Sequence, residues 1–212
     1  MRRLQLWAVA FCITAFSVVG SILYVDRPLA KLAHAVFGHF EVVGSFSESP
    51  SLFDPLMILI AAIFILRRLA RSSLSYPDVV LVLCEVSLLV TKLALAPLKL
   101  VFGRTWPLYV HPSFLADGVY GFNFFSHGLQ YESFPSGHIA SVSALAIVLW
   151  AAYPRFRPLY AVAIFGMAFA LVLGNYHFLS DVIAGGFLGG AVATLSTTFL
   201  SLMAAERVRV RS

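Results

Sequence analysis

Two stretches of this chain hold residues whose types and spacing could do chemistry. Asn175-Tyr176-His177-Phe178-Leu179-Ser180-Asp181 sets a histidine and an aspartate four residues apart, neighbours on one face of a helix. A carboxylate beside an imidazole fixes its tautomer and stabilises positive charge as it develops. His177 is therefore a candidate nucleophile and Asp181 its orienting partner. An interfacial hydrogen bond between the two is the plain alternative. The second stretch is Phe134-Pro135-Ser136-Gly137-His138. Pro135 and Gly137 suit a chain turning sharply into a helix, and Ser136 is a favoured N-cap residue. Free backbone N–H groups and the positive end of the helix dipole make such a turn an anion site, phosphate being the commonest guest. His138 beside it can give or take a proton near neutral pH. A capped membrane helix with an interfacial histidine competes with that reading.

The elements that must carry these residues are apolar. The 212 residues are 60% hydrophobic and 12% charged, with a mean hydropathy of +0.88. Soluble domains run near a quarter charged, so this is the composition of a membrane protein. The net charge of +5 lies in loops between apolar runs and reads as a topology signal, not a nucleic-acid surface. Apolar runs from Leu4 to Val25, Leu52 to Leu66, Val79 to about Leu98, Ile139 to Tyr153, Leu159 to Leu173 and Val182 to about Ala204 predict six spans. The first run is too long for a signal-peptide core and lacks a small-x-small cleavage site, so an uncleaved span is expected. Between Pro28 and Val43, apolar residues at helical spacing alternate with Arg27, Lys31, His34 and Glu41, which suits an interfacial helix or one packed on the bundle. Gly185, Gly186, Gly189 and Gly190 would let the last span approach a neighbour closely. Cys12 and Cys84 sit inside apolar runs with no metal-ligand spacing. The fold expected is all-α, a six-span transmembrane bundle with an interfacial helix in the first non-cytoplasmic loop, forming one domain over 1–212.

Six spans place the N-terminus, the 67–78 loop, the 154–158 loop and the tail on one side, and these hold ten of the fifteen lysines and arginines. The positive-inside rule makes that side the cytoplasm. Lys99, Arg104, Ser136, His138, His177 and Asp181 then meet at the opposite end, facing the periplasm or exterior of a plasma or inner membrane.

Together the segments resemble the type 2 phosphatidic acid phosphatase family, membrane lipid phosphatases with haloperoxidase relatives. Its signatures are Lys-x6-Arg-Pro, Pro-Ser-Gly-His and Arg-x5-His-x3-Asp. Pro135-Ser136-Gly137-His138 matches the second in full, His177 and Asp181 match the end of the third, and Lys99, Gly103, Arg104 and Pro107 match the first in its extended form. Two positions depart: Trp106 and Leu171 stand where the family has arginines that help hold phosphate, and neither can supply a bidentate clamp.

The resemblance implies phosphoryl transfer in two steps. His177 attacks phosphorus with Asp181 orienting it, and His138 protonates the leaving oxygen and then activates water. Lys99, Arg104, Ser136 and Gly137 hold the phosphate oxygens, with no metal and no other cofactor. A two-histidine, one-aspartate zinc site is the alternative on paper. The implied substrate is a lipid phosphate or diphosphate drawn from the bilayer. A lipid phosphotransferase and a transporter or lipid-binding protein on a decayed scaffold are the rival functions. The aromatic loop from Leu108 to Phe134 suits a lid at headgroup level or a cap without substrate contact. Glu85 and Lys92 share a face with Lys99, and a structural role is expected for both.

Overall fold

The computed structural model describes residues 2–38, 53–70 and 75–211. Among them the protein is all-α. Helix α1 (Arg2–Gly20) runs through a π-helical turn (Ser21–Val25) directly into α2 (Asp26–Phe37). The remaining long helices are α3 (Phe53–Ala70), α4 (Tyr76–Phe102), α5 (Gly137–Ala152), α6 (Arg157–Leu173) and α7 (Leu179–Arg211). Among the described residues, four helices, Leu4–Phe37, Tyr76–Phe102, Pro154–Leu173 and Leu179–Thr198, are long and apolar enough to cross a membrane, and Gly137–Ala152 is a shorter apolar one. Phe16, Ile58, Phe165 and Phe169 are among many large apolar side chains left exposed, as expected of a surface whose solvent is lipid.

The amphipathic segment after the first run is helical, but no loop separates it from α1. Pro28 has no N–H to offer the carbonyl four residues back, and its ring would strike it. The chain absorbs this by widening to a π turn just before α2. Of the two uses weighed for this segment, packing on the bundle is observed. Ala30 and Ala33 are buried, and Leu29 packs against the core cluster formed by Ile139, Leu171, Val172, Tyr176 and Val182. Residues 39–43 of the expected segment lie outside the described residues.

Helix α4 opens on a capping box, with Ser75 and Asp78 each accepting from the other's backbone, and Arg67 at the end of α3 pairs with Asp78. It closes at Gly103 in the left-handed conformation (φ 54°), where a Cβ would lie 1.8 Å from the carbonyl oxygen of Asn123. That turn sends residues 104–106 into the bundle end. The tightest packing joins α5 to α7. A Cβ at Gly185 would lie 2.3 Å from the carbonyl oxygen of Ser136, and one at Gly189 would lie 2.0 Å from that of Ala140. Only glycine fits at these two positions, so the start of α5 is seated on the first turns of α7.

Candidate active site

Helix α7 begins at Leu179, and Asp181 at its third position accepts from the backbone N–H of Phe178 at 3.0 Å, half of a capping box. The same carboxylate oxygen accepts from the Ser133 hydroxyl at 2.7 Å and lies 3.5 Å from Nδ1 of His177. Ser133 Oγ is itself 3.4 Å from that Nδ1. With Nδ1 turned to Ser133 and Asp181, Nε2 is the nitrogen left to the cavity that His177 lines. Burial holds the His177 pKa below its ordinary value, opposed by Asp181 and reinforced by Lys99, so the imidazole is neutral at physiological pH. That is the form a nucleophile needs.

The cavity has a volume of about 500 Å³. Its working lining comes from four places: Lys92 and Lys99 on α4, Trp106 and the 126–132 loop, Gly137 and His138 at the start of α5, and His177. The rings of His138 and His177 lie 6.0 Å apart between centroids, so two sequence-distant histidines share one wall. Gly137 and His138 bring the N-terminal end of α5, the positive end of its dipole, to the cavity. Lys99 faces Glu132 at 3.5 Å.

Two expected phosphate ligands stand elsewhere. Arg104 is fully buried and does not line the cavity. Its Nη1 donates to Asp181 Oδ1 and to Ser180 Oγ, while Nη2 donates to Asp26 at 2.7 Å and to Tyr120 at 3.1 Å. The rings of Phe178, Phe122 and Tyr120 surround the guanidinium, the nearest centroid at 4.4 Å. Burial alone would lower the Arg104 pKa, but Asp181 and Asp26 outweigh it and raise the value, so the cation is permanent. Ser136 occupies the N-cap position in extended conformation, without the expected cap bond. Its N–H donates to the backbone carbonyl of Asp181 at 3.1 Å, and its buried hydroxyl has no partner among the described residues.

At the two positions that depart from the signatures, the protein has built apolar structure. Trp106 lies beside His177 and donates from Nε1 to the Leu129 carbonyl at 2.7 Å. Leu171 is buried against Ile139, Tyr176 and Val182, and its backbone carbonyl accepts from the N–H groups of Tyr176 and His177. The loop over 108–134 is part of the site, because Tyr109, Ser126, His127, Leu129 and Glu132 line the cavity. Lys92, for which a structural role was expected, lines it too. Sequence reading missed Asp26 and Ser133. Asp26 carried a faint signal, an acid closing an apolar run. Ser133 carried none.

A metal fits this donor set poorly. Asp181 Oδ1 is taken by Arg104, and Oδ2 by Ser133 and the Phe178 N–H, so an ion would have to displace existing partners.

What fold and site define is an integral membrane protein with a histidine–carboxylate pair facing a lysine-lined cavity. The chain belongs to the PAP2 superfamily, which residues 79–203 match. It is 28% identical over 197 residues to a lipid A 1-phosphatase of Rhizobium johnstonii, an alignment covering 90% of this chain and 79% of that one. It is 33% identical over 99 residues to a lipid A 1-phosphatase of Rhizobium etli, 47% of this chain and 41% of that one. The fold is similar to the crystal structure of a transmembrane PAP2-type phosphatidylglycerolphosphate phosphatase from Bacillus subtilis. That match has a TM-score of 0.58 and 18% identity, and covers 93% of this chain and 95% of that one.

Proposed function

We propose that this protein is a membrane phosphatase that hydrolyses a lipid phosphate or diphosphate through a phosphohistidine intermediate. The observation carrying this reading is the placement of His177 and His138 on one cavity wall, with Asp181 behind the first and Lys99 alongside. His177 Nε2 attacks phosphorus and the bond to the lipid oxygen breaks, while His138 gives that oxygen a proton. His138 then takes a proton from water as the water attacks phosphorus, the P–N bond breaks and the neutral imidazole returns. Lys99 and the N–H end of α5 meet the charge on the phosphate oxygens. Arg104 supports the site through Asp181 instead of touching phosphate, a change from the role its signature implied.

The intact pairing of nucleophile, carboxylate and acid favours an enzyme over a decayed scaffold. The cavity, larger than a phosphate group alone requires, leaves room for part of the substrate's headgroup. The names of the two curated relatives make a lipid A 1-phosphate the first candidate substrate. We place the site at the non-cytoplasmic leaflet of a six-span bundle with both termini in the cytoplasm, on the distribution of arginines.

The test is phosphate release by purified protein in detergent from a panel containing lipid A, phosphatidylglycerolphosphate, phosphatidic acid and a polyprenyl diphosphate. Release from at least one of these, abolished in His177→Ala, is the expected result. No release from any member would overturn the reading.

A further inference from the structure

We propose that Asp26 is a positioning residue for the reaction, dividing the Arg104 guanidinium so that Asp181 keeps negative charge directed at His177. This rests on the reading of His177 as nucleophile and adds a residue outside the family signatures matched above. Asp26 lies at the end of the π turn between α1 and α2, 78 positions before Arg104, and is 1% exposed. Every polar contact around it points at the site. One oxygen accepts from the Ser180 N–H at 3.0 Å, and the other accepts from Arg104, from the Ser180 hydroxyl and, at 3.4 Å, from Tyr120.

The arrangement sets one guanidinium between two carboxylates, with Nη2 on Asp26 and Nη1 on Asp181. The buried group therefore carries a net charge of one negative, in a medium of low dielectric where such charges act strongly. Were Arg104 paired with Asp181 alone, the two would cancel and His177 would face a neutral pair. With Asp26 drawing on the same cation, Asp181 is only part-neutralised. Its Oδ2, the oxygen away from Arg104, remains able to polarise Nδ1–H and to stabilise an imidazole gaining positive charge as it binds phosphorus.

A purely architectural role, tying the first helix to the loop and α7, is the competing account. The two differ in sign. Around His177 stand Asp181 from α7, His138 from α5, Lys99 from α4 and, from the loop, Ser133 and Glu132, the last reaching it through Lys99. Asp26→Asn alters none of these but leaves Arg104 wholly to Asp181. Arg104→Gln does the opposite and exposes His177 to an uncompensated carboxylate.

The experiment is an NMR titration of the protein in detergent micelles with isotope-labelled histidine, the His177 signal assigned by its loss in His177→Gln. Steady-state kinetics are run on the same samples. Asp26→Asn should lower the His177 midpoint by about 0.5–1 unit, and Arg104→Gln should raise it by a similar amount. Asp26→Asn should also lower kcat on the order of 10-fold with KM little changed, well short of the roughly 10⁴-fold typical when a triad carboxylate itself is neutralised. Asp26→Glu, which restores the charge, should recover most of both. Unchanged midpoints, or shifts of the same sign in the two variants, would overturn the inference. If either variant does not fold, the sign of the other's shift decides. Because the titration does not depend on turnover, it stands apart from the substrate panel. An inactive wild type defeats the proposed function, whereas an active wild type with an unmoved midpoint in Asp26→Asn defeats only this inference.

Discussion

The indole of Trp106 lies against the imidazole of His177, with ring centroids 5.0 Å apart and planes inclined by 42°. It stands where the family signature has a phosphate-holding arginine, so this protein has an aromatic wall for the ring of His177, the proposed nucleophile, in place of a cation. The indole is fixed in turn by its hydrogen bond to Leu129 and its edge contact with Tyr109. Trp106→Phe keeps the aromatic face and loses one hydrogen bond, at a cost of about 1 kcal/mol, with kcat near wild type. Trp106→Ala opens a void beside His177, costing about 3–5 kcal/mol in stability, and should lower kcat by more than the Phe variant does. Thermal unfolding and initial rates on both variants check this. A Trp106→Ala protein with wild-type kcat would show that the ring contact has no part in holding His177.

The division of labour between the histidines has a kinetic signature. His177→Ala removes the proposed attacking atom, so turnover should fall to background and no covalent label should form. His138→Ala keeps the proposed nucleophile and loses the proposed acid. It should cost roughly 10²–10⁴-fold with a lipid alkoxide leaving group and much less with an activated aryl phosphate, which departs without a proton. Acid-labile label trapped from phosphate-labelled lipid should appear in His138→Ala and be absent from His177→Ala. Label retained by His177→Ala would place the nucleophile elsewhere.

A pH profile tests the burial of His177. Its folded pKa is depressed below 6.5 by burial, so protonation should extinguish kcat/KM along an acid limb whose midpoint lies under 6.5. The stability effect has the same origin. Between the folded pKa and 6.5 the unfolded chain binds a proton that the folded one does not, so stability rises with pH across that window and gains nothing further above it. His177→Gln should flatten that part of the stability profile. A limb centred above 6.5 would mean that the Asp181 field outweighs burial.

Vanadate, which takes up a five-coordinate arrangement like that of phosphorus in transfer, should inhibit competitively. Strong chelators should leave turnover nearly intact. Loss of activity in chelator restored by zinc would shift the chemistry to a metal, which would have to displace Arg104, Ser133 or the Phe178 N–H from Asp181.

How much of this was legible in the sequence depended on the range of each interaction. Helices announce themselves through apolar runs, and the expected boundaries fall within a few residues of those observed for α4, α5 and α6. The His177–Asp181 pair was legible from its four-residue spacing, although His177 stands in the bend before α7 and only Asp181 is on the helix. His138 was legible because a helix start is local. Arg104 was misread in part. Its signature position implied a phosphate contact, whereas burial among Phe178, Phe122 and Tyr120 sets it between two carboxylates. That outcome depends on Asp26, whose nearness to Arg104 is made entirely by tertiary packing. The continuity of α1 and α2 was hidden for a different reason. A proline one turn beyond an apolar run reads as a break, and the π turn that accommodates it leaves no pattern in the sequence.

The glycines of α7 were read as a group, and the structure separates them, which gives a graded prediction. At Gly189 a new Cβ would lie 2.0 Å from the backbone oxygen of Ala140, and backbone cannot swing aside as a side-chain end can. Gly189→Ala should therefore push α5 and α7 apart at a cost of about 1–3 kcal/mol. At Gly190 nothing lies within 4 Å, so Gly190→Ala should be neutral or stabilise by up to about 1 kcal/mol through helix propensity. Gly185 differs from both, because the oxygen its Cβ would strike, at 2.3 Å, belongs to Ser136, immediately before Gly137 and His138. Moving that carbonyl moves His138, the proposed acid, and the start of α5 relative to His177, which stands in the bend just before α7. Gly185→Ala should thus lose stability much as Gly189→Ala does, yet lose more activity per unit of stability. Unfolding midpoints in detergent, set against kcat/KM for the three variants, give the comparison. If Gly185→Ala and Gly189→Ala lay on one common line of activity against stability, the seating of Ser136 on Gly185 would be packing alone, with no role in aligning the two histidines.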